Sequence, residues 1–230
     1  MPSFSARIRN SSRVDTAMNE QVAIAILAKA PVPGLAKTRL IPLLGSERAT
    51  KLQASLIERA VDSACLSGVG PVTLWAMPDG SDAVFQAVQA RYGLLVARQS
   101  EGDLGARMLA AITAANGPVL VMGTDCPALT SDHLRMAADV LRRGIEVVMF
   151  PAEDGGYVLI GMRAAQAALF EAPICWGSAR VLGETRRRLG RLKLSWQEPS
   201  MLWDIDLPAD LERLQSGSLR ELVSGSRSQS

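Results

Sequence analysis

Five stretches of the 230-residue chain concentrate residue types able to do chemistry. The first, Lys29-Ala-Pro-Val-Pro-Gly34-Leu-Ala-Lys37-Thr38-Arg39-Leu40, places three cations on a backbone shaped by two prolines and a glycine. Arginine grips phosphate bidentately and lysine offers a compact point charge, so Lys29, Gly34, Lys37, Thr38 and Arg39 read as a polyphosphate cradle. The Walker spacing GxxxxGK[ST] is absent, so this is not a P-loop; a basic surface turn fits the loop equally well when it is read alone. The second stretch, Gln99-Ser-Glu-Gly102-Asp-Leu-Gly105-Ala-Arg107, has glycines that allow close backbone approach at the start of a helix. Its Gln99 amide is suited to a base edge, although an ordinary strand-to-helix turn capped by Asp103 is the plainer reading. The third, Gly123-Thr124-Asp125-Cys126-Pro127, delivers a carboxylate directly after the apolar run VLVM. Magnesium is usually held by one or two carboxylates plus substrate phosphates, so Asp125 needs a partner further along. Two segments offer one. Glu153-Asp154-Gly155-Gly156-Tyr157 has the Asp-Gly signal of a plain hairpin turn. In Trp203-Asp204-Ile205-Asp206-Leu207-Pro208-Ala209-Asp210-Leu211, an extended backbone would turn Asp204 and Asp206 to the same face.

The elements that must position these residues follow from hydrophobic patterning. Val22–Ala28 and Val119–Met122 are apolar without alternation, as strands buried on both faces are. Val72–Met77, Leu94–Arg98, Glu146–Phe150 and Tyr157–Gly161 are further strands, and Leu192–Trp196 reads as extended. Helical spacing and caps predict helices over Ser46–Cys65, Ser81–Arg91, Asp103–Ala115, Thr130–Arg143, Ser178–Leu189 and from Pro208 onward. Strands alternating with helices imply an α/β fold with a mostly parallel sheet, and ligands in such sheets sit beyond the carboxyl ends of the strands. Residues 20–215 read as a single domain. The Ser/Arg-rich segment 1–19 reads as a disordered or untranslated extension, Met18 being an alternative start, and the Ser/Gly-rich segment 216–230 as a disordered tail.

Composition narrows the function classes. Basic and acidic residues balance once the two ends are set aside, which argues against nucleic-acid binding. No apolar run approaches the roughly 20 residues of a membrane span. Cys65, Cys126 and Cys175 are odd in number and lack CxxC spacing, fitting a reducing cytoplasm and excluding a thiolate zinc site. His133 is the single histidine, which excludes multi-histidine metal centres and disfavours a Ser-His-Asp triad; it reads as a partly exposed helical residue. Met108 and Met122 read as core, the run Arg186-Arg187-Arg188 as a solvated helix face, and Trp203, beside Asp204, as packing or as a stacking surface for an acceptor.

In this order along an α/β chain, KAPVPGLAKTRL, QSEGDLGARM, GTDCPAL, PAEDGGYVLIG and WDIDLPADL resemble the GT-A-type nucleotide-diphospho-sugar transferase superfamily. The resemblance is strongest to the DUF2064 group, the glycosyltransferase A or radical-SAM/selenodomain-associated transferases, and covers Val22 to Leu214. KTRL is also similar to the 2-phospholactate guanylyltransferases, and DIDLPADL to the closing motif of CMP-sugar and molybdenum-cofactor nucleotidyltransferases. The resemblance implies a Rossmann-like three-layer sandwich binding a nucleotide at the carboxyl end of its sheet, with Mg²⁺ or Mn²⁺ held by Asp125 and Asp206. The first loop departs from the GxGTRM pattern of nucleotidyltransferases.

Two reactions suit these residues. In nucleotidyl transfer, an oxygen of a phosphorylated small-molecule acceptor attacks the α-phosphate of an NTP and pyrophosphate leaves, Lys37 and Arg39 neutralising the outer phosphates. In glycosyl transfer, an NDP-sugar is the donor and Asp154 activates an acceptor hydroxyl. The cationic first loop favours the former. Gln99, Gly102, Gly105 and Thr124 complete the expected nucleotide site; Asp154, Gly155, Gly156 and Trp203 form the expected acceptor side. A non-catalytic nucleotide-binding scaffold fits least well, given how many charged residues fall at strand ends.

Overall fold

The computed structural model describes residues 20–171 and 174–216. The expected extension 1–19 and most of the expected tail 216–230 lie outside the described residues. The first strand, β1 (Ala23–Lys29), is followed by a 3₁₀ turn at Thr38–Leu40, a short helix α1 (Ile41–Leu44) and the long α2 (Ser46–Ser67). Then come β2 (Val72–Met77), α3 (Ala83–Tyr92), β3 (Leu95–Arg98), α4 (Leu104–Ala115), β4 (Val119–Met122) and α5 (Ser131–Arg142). The last elements are β5 (Val147–Pro151), β6 (Tyr157–Met162), α6 (Ala167–Phe170), α7 (Val181–Leu192), β7 (Trp196–Gln197) and α8 (Pro208–Ser216).

The strands form one seven-stranded sheet in the order β3-β2-β1-β4-β6-β5-β7. It is parallel except at β6, which runs antiparallel to both β4 and β5. Period-two alternation divides β1 between two cores. Ile24, Ile26 and Ala28 face a cluster built with Ile57 and Val61 of α2, Phe85 of α3 and Leu134 and Leu141 of α5. Ala25 faces the opposite cluster, built with Met108 and Ile112 of α4, Phe170 of α6 and Leu182 and Leu189 of α7. Helices on both faces make the expected three-layer sandwich. Met108 and Met122 are buried in it, as expected.

Two caps are the ones the sequence announces, whereas α3 is capped by Asp82, not Ser81, and α2 and α7 start without a side-chain cap. Asp103 Oδ1 accepts from Ala106 N at the start of α4. His133 closes a capping box at α5, its Nδ1 accepting from Thr130 N while its ring meets Phe150 edge-on at 5.6 Å. Two further expectations need correction. The segment Leu192–Trp196 is not a strand: Leu182 and Leu189 bury one face of α7, the helix continues to Leu192 and ends at left-handed Lys193, and pairing begins at Trp196. The arginine run is not uniformly solvated. Arg186 pairs with Glu198 and Arg187 with Glu184, but Arg188 is buried, donating to Glu184, to Leu169 O and to Glu171 O.

Candidate active site

From β1 the chain crosses to β2 and β3 on one side, then to β4 on the other, so the connections diverge beyond the carboxyl ends of β1 and β4. A crevice is expected at such a switch point. A cleft of about 480 Å³ lies there, lined by the ends of both strands and by Lys37, Arg39, Gln99, Thr124, Asp125 and Asp206.

The first loop is built by its prolines and glycine. Leu35 N donates to Val32 O across Pro33 and Gly34, and Gly34 has φ +80°, the type II arrangement with proline at the second position and glycine at the third. A Cβ on Gly34 would meet nothing within 4 Å, so this glycine serves the turn and not a close approach. Lys29 Nζ ties the strand end to Leu35 O at 3.2 Å. Lys37 adopts a left-handed conformation, φ 47°, before the 3₁₀ turn, a conformation that for a non-glycine residue persists where the surroundings hold it.

What holds Lys37 is the centre of the site. Its side chain is 5% exposed, and Nζ lies 2.7 Å from Asp125 Oδ1 and 3.5 Å from Asp206 Oδ1. It also donates to Ile205 O. The ammonium therefore sits among oxygen donors from two loops, which are themselves joined by a bond from Ile205 N to Asp125 O. Arg39 is 66% exposed in its side chain and approaches Asp206 Oδ2 at 3.6 Å. Lys37, expected at substrate phosphates, pairs in the structure with the two expected metal ligands, and Arg39 is left at the cleft surface.

Further contacts explain why these loops hold their shape. Asp210 Oδ2 accepts from Asp206 N and Leu207 N ahead of α8, so the DLPAD spacing is a helix-start device that fixes Asp206. Leu40, Leu52, Leu56, Ile205, Leu211 and Leu214 form a small core that packs the first loop, α2 and the closing segment together. Gln53 of α2, buried, donates to Thr124 Oγ1 at 3.2 Å, and Arg59 Nε donates to Pro127 O at 2.7 Å, securing the GTDCP loop.

Electrostatics follow from crowding. Burial raises the Asp204 carboxyl to about 6, with the charges of Asp154, Asp206 and Asp125 adding to the effect. Burial also raises Asp206, opposed by Lys37 and Arg39. Burial pushes the Cys126 thiol up to about 12, making it an inert packing group beside the carboxylates.

The other expected site residues fall in different places. Lys29, Thr38, Gln99 and Thr124 line the cleft; Gly102 and Gly105 do not. A Cβ on Gly105 would come 2.5 Å from Trp176 Cζ2, so that glycine lets α4 pack against the indole of the turn before α7. Asp154 lies in the β5–β6 turn with Oδ1 accepting from Gly156 N, outside the cleft lining but close enough to raise Asp204. Gly155 has φ +91° and packs against the Ala179 backbone. Trp203 carries the Arg213 guanidinium over its ring at 4.5 Å and is partly buried against the small core. Sequence reasoning missed Gln53, Arg107 and Tyr157 as cleft residues. Arg107 closed the quoted QSEGDLGAR stretch; nothing in the spacing marks Gln53, which reaches the site from the middle of a helix.

The described residues contain no group of three or more His, Cys, Asp or Glu able to hold a metal ion. A metal here would rest on the Asp125–Asp206 pair. The donor set fits one: a cation, the Lys37 ammonium, already sits among carboxylate and carbonyl oxygens, the ligands preferred by hard divalent ions.

A seven-stranded sheet of this order has the architecture of the nucleotide-diphospho-sugar transferase fold. The chain belongs to the family of uncharacterised proteins conserved in bacteria designated DUF2064, whose profile matches residues 59–178. Among solved structures it is similar to a proposed nucleotide-diphospho-sugar transferase of Desulfovibrio desulfuricans G20, at 24% identity over 89% of this chain and 94% of that one, with a TM-score of 0.75. A CMP:2-keto-3-deoxy-manno-octonic acid synthetase complexed with CTP matches at 13% identity over 86% of this chain and 98% of that one, TM-score 0.52. A Mycobacterium tuberculosis H37Rv protein complexed with manganese matches at 19% identity over 86% and 100%, TM-score 0.51. No protein of curated function matches in sequence.

Proposed function

We propose that the protein is a divalent-metal-dependent, nucleotide-utilising transferase that moves a nucleotidyl group from an NTP to a phosphorylated small-molecule acceptor. The observation that carries this reading is the convergence of Asp125 and Asp206 on one cation at the mouth of the switch-point cleft. The CTP complex and the manganese complex of two fold neighbours are consistent with it. An acceptor oxygen forms the new bond to the α-phosphorus, the bond to the bridging oxygen breaks, and pyrophosphate leaves. A divalent ion on Asp125 and Asp206 would polarise the α-phosphate and balance charge on the leaving group. Arg39, exposed and 3.6 Å from Asp206, binds the outer phosphate oxygens, with Lys29 and Arg107 as further cations around the cleft. Lys37 keeps the two carboxylates on a common centre, and Asp210 holds the backbone that carries Asp206.

Glycosyl transfer from an NDP-sugar is the second reading, and one observation favours it. With Lys37 committed to the carboxylates, the loop offers fewer cations to a triphosphate than its sequence implies. A screen of four NTPs against sugar phosphates and phosphorylated small acids, read by pyrophosphate release, tests the first reading. NDP release from NDP-sugars without pyrophosphate release from any NTP would replace it with the second.

A further inference from the structure

We infer that Lys37 is a built-in cation that excludes a divalent ion from the Asp125–Asp206 centre until its ammonium swings out, so that the free protein is latched in a metal-poor state; this rests on the metal-dependent reading above. The ammonium already holds the oxygens an ion needs. Nζ lies 2.7 Å from Asp125 Oδ1 and 3.5 Å from Asp206 Oδ1, and it donates to Ile205 O. An ion bonded at about 2.1 Å to the same Asp125 oxygen would stand at most about 5 Å from Nζ. The lysine side chain is 5% exposed, so little water lies between two such cations to screen their repulsion. The outer side of the pair is no free seat either, because Asp206 Oδ2 faces a second cation, Arg39, at 3.6 Å.

Two features make the ammonium a displaceable occupant. Asp125 Oδ1 is shut off from solvent and, although Nζ lies 2.7 Å away, receives no aligned hydrogen bond. A buried carboxylate oxygen in that state is completed by a cation that bonds it directly. Lys37 also keeps its place with a left-handed backbone, φ 47°, a strained conformation for a residue with a side chain. Releasing Nζ from the two carboxylates and from Ile205 O removes what holds that strain. Lys37 lines the cleft, which gives the freed side chain a space to turn into.

Two measurements on the nucleotide-free protein test this. Titration with Mn²⁺ at fixed pH and ionic strength, read from the paramagnetic resonance of the free ion, compares the wild type with Lys37→Met. The variant should bind one ion at least about tenfold tighter, because no charge-assisted hydrogen bond has to be broken first. Amine acetylation read by mass spectrometry follows Lys37 itself in the wild type. Without metal it should be labelled more slowly than the exposed Lys51 and Lys193, and excess Mn²⁺ should speed its labelling while leaving those two unchanged. If Lys37→Met does not fold, labelling of the wild type decides alone. Equal or weaker Mn²⁺ binding by the variant overturns the proposal while leaving the metal site intact. Mn²⁺ binding to the wild type with Lys37 labelled no faster also overturns it, since ion and ammonium then share the centre. Mn²⁺ binding to neither protein overturns the proposal and the metal-dependent reading together.

Discussion

Replacing Lys37 by methionine keeps the length of the side chain and removes the charge from between Asp125 and Asp206. An exposed ion pair contributes up to about 1 kcal/mol, and breaking a fully buried one loses about 3–5 kcal/mol. Here the lysine side chain is 5% exposed and the two carboxylates 47% and 45%, between those limits. The expected loss is about 2 kcal/mol without metal, because two carboxylates are left facing each other with no counter-charge. For a domain of this size that corresponds to a fall in Tm of about 4–8 °C. Magnesium or manganese should recover more of Tm in Lys37→Met than in the wild type, since a bound ion stabilises the folded state by mass action and the variant offers it a less crowded oxygen cage. Calorimetric melts of both proteins in EDTA and in excess Mg²⁺ or Mn²⁺ measure both quantities. An unchanged Tm in EDTA, or a loss that metal does nothing to reverse, would falsify the clasp assigned to Lys37 and return it to the phosphates.

Asp125→Asn should retain the wild-type circular dichroism spectrum and lose turnover by on the order of 10² or more, the scale of one lost electrostatic contact in a transition state; full metal-dependent activity in this variant would move the metal to other carboxylates. Gly155→Ala should lose at least about 2 kcal/mol in urea unfolding, because an alanine there must hold φ +91° and its Cβ would lie 2.5 Å from Ala179 O; an unchanged midpoint would refute this. The pH dependence of stability should carry a signature of Asp204. Its carboxyl is raised to about 6 in the folded state, so the folded protein holds that proton more tightly than the unfolded chain does. Stability from this group therefore falls as pH rises from about 4 to 6 and stays lower above. Asp204→Asn in EDTA should be more stable than the wild type at pH 8 by about 1 kcal/mol, reduced by solvent screening of a half-exposed group, and the difference should vanish near pH 4. A less stable variant at pH 8 would contradict the sign.

The sequence by itself determined the elements whose cause is local. Val119–Met122 is a strand because four consecutive apolar side chains need burial on both faces. Asp103 starts α4 and Thr130 starts α5 because a short side-chain oxygen or a capping box satisfies the first free N–H groups. Pro33-Gly34 makes a type II turn because one residue pre-sets φ and the other accepts its positive value. The resemblance to nucleotidyltransferases implied Asp125 and Asp206 as partners, and both reach the same cleft. Tertiary structure alone decided what each charge is paired with. Nothing within KTRL shows that Lys37 turns inward onto carboxylates from two other loops while Arg39 remains outside, because that choice depends on β4 and the closing segment meeting beside β1. The same holds for Gln99, whose amide orientation is set by carbonyls 71 and 24 residues away, and for Gln53, which enters the site from the middle of α2. Local propensity acts over a few neighbouring residues, whereas ion pairing and amide orientation are settled by whichever partners the folded sheet brings within about 3 Å.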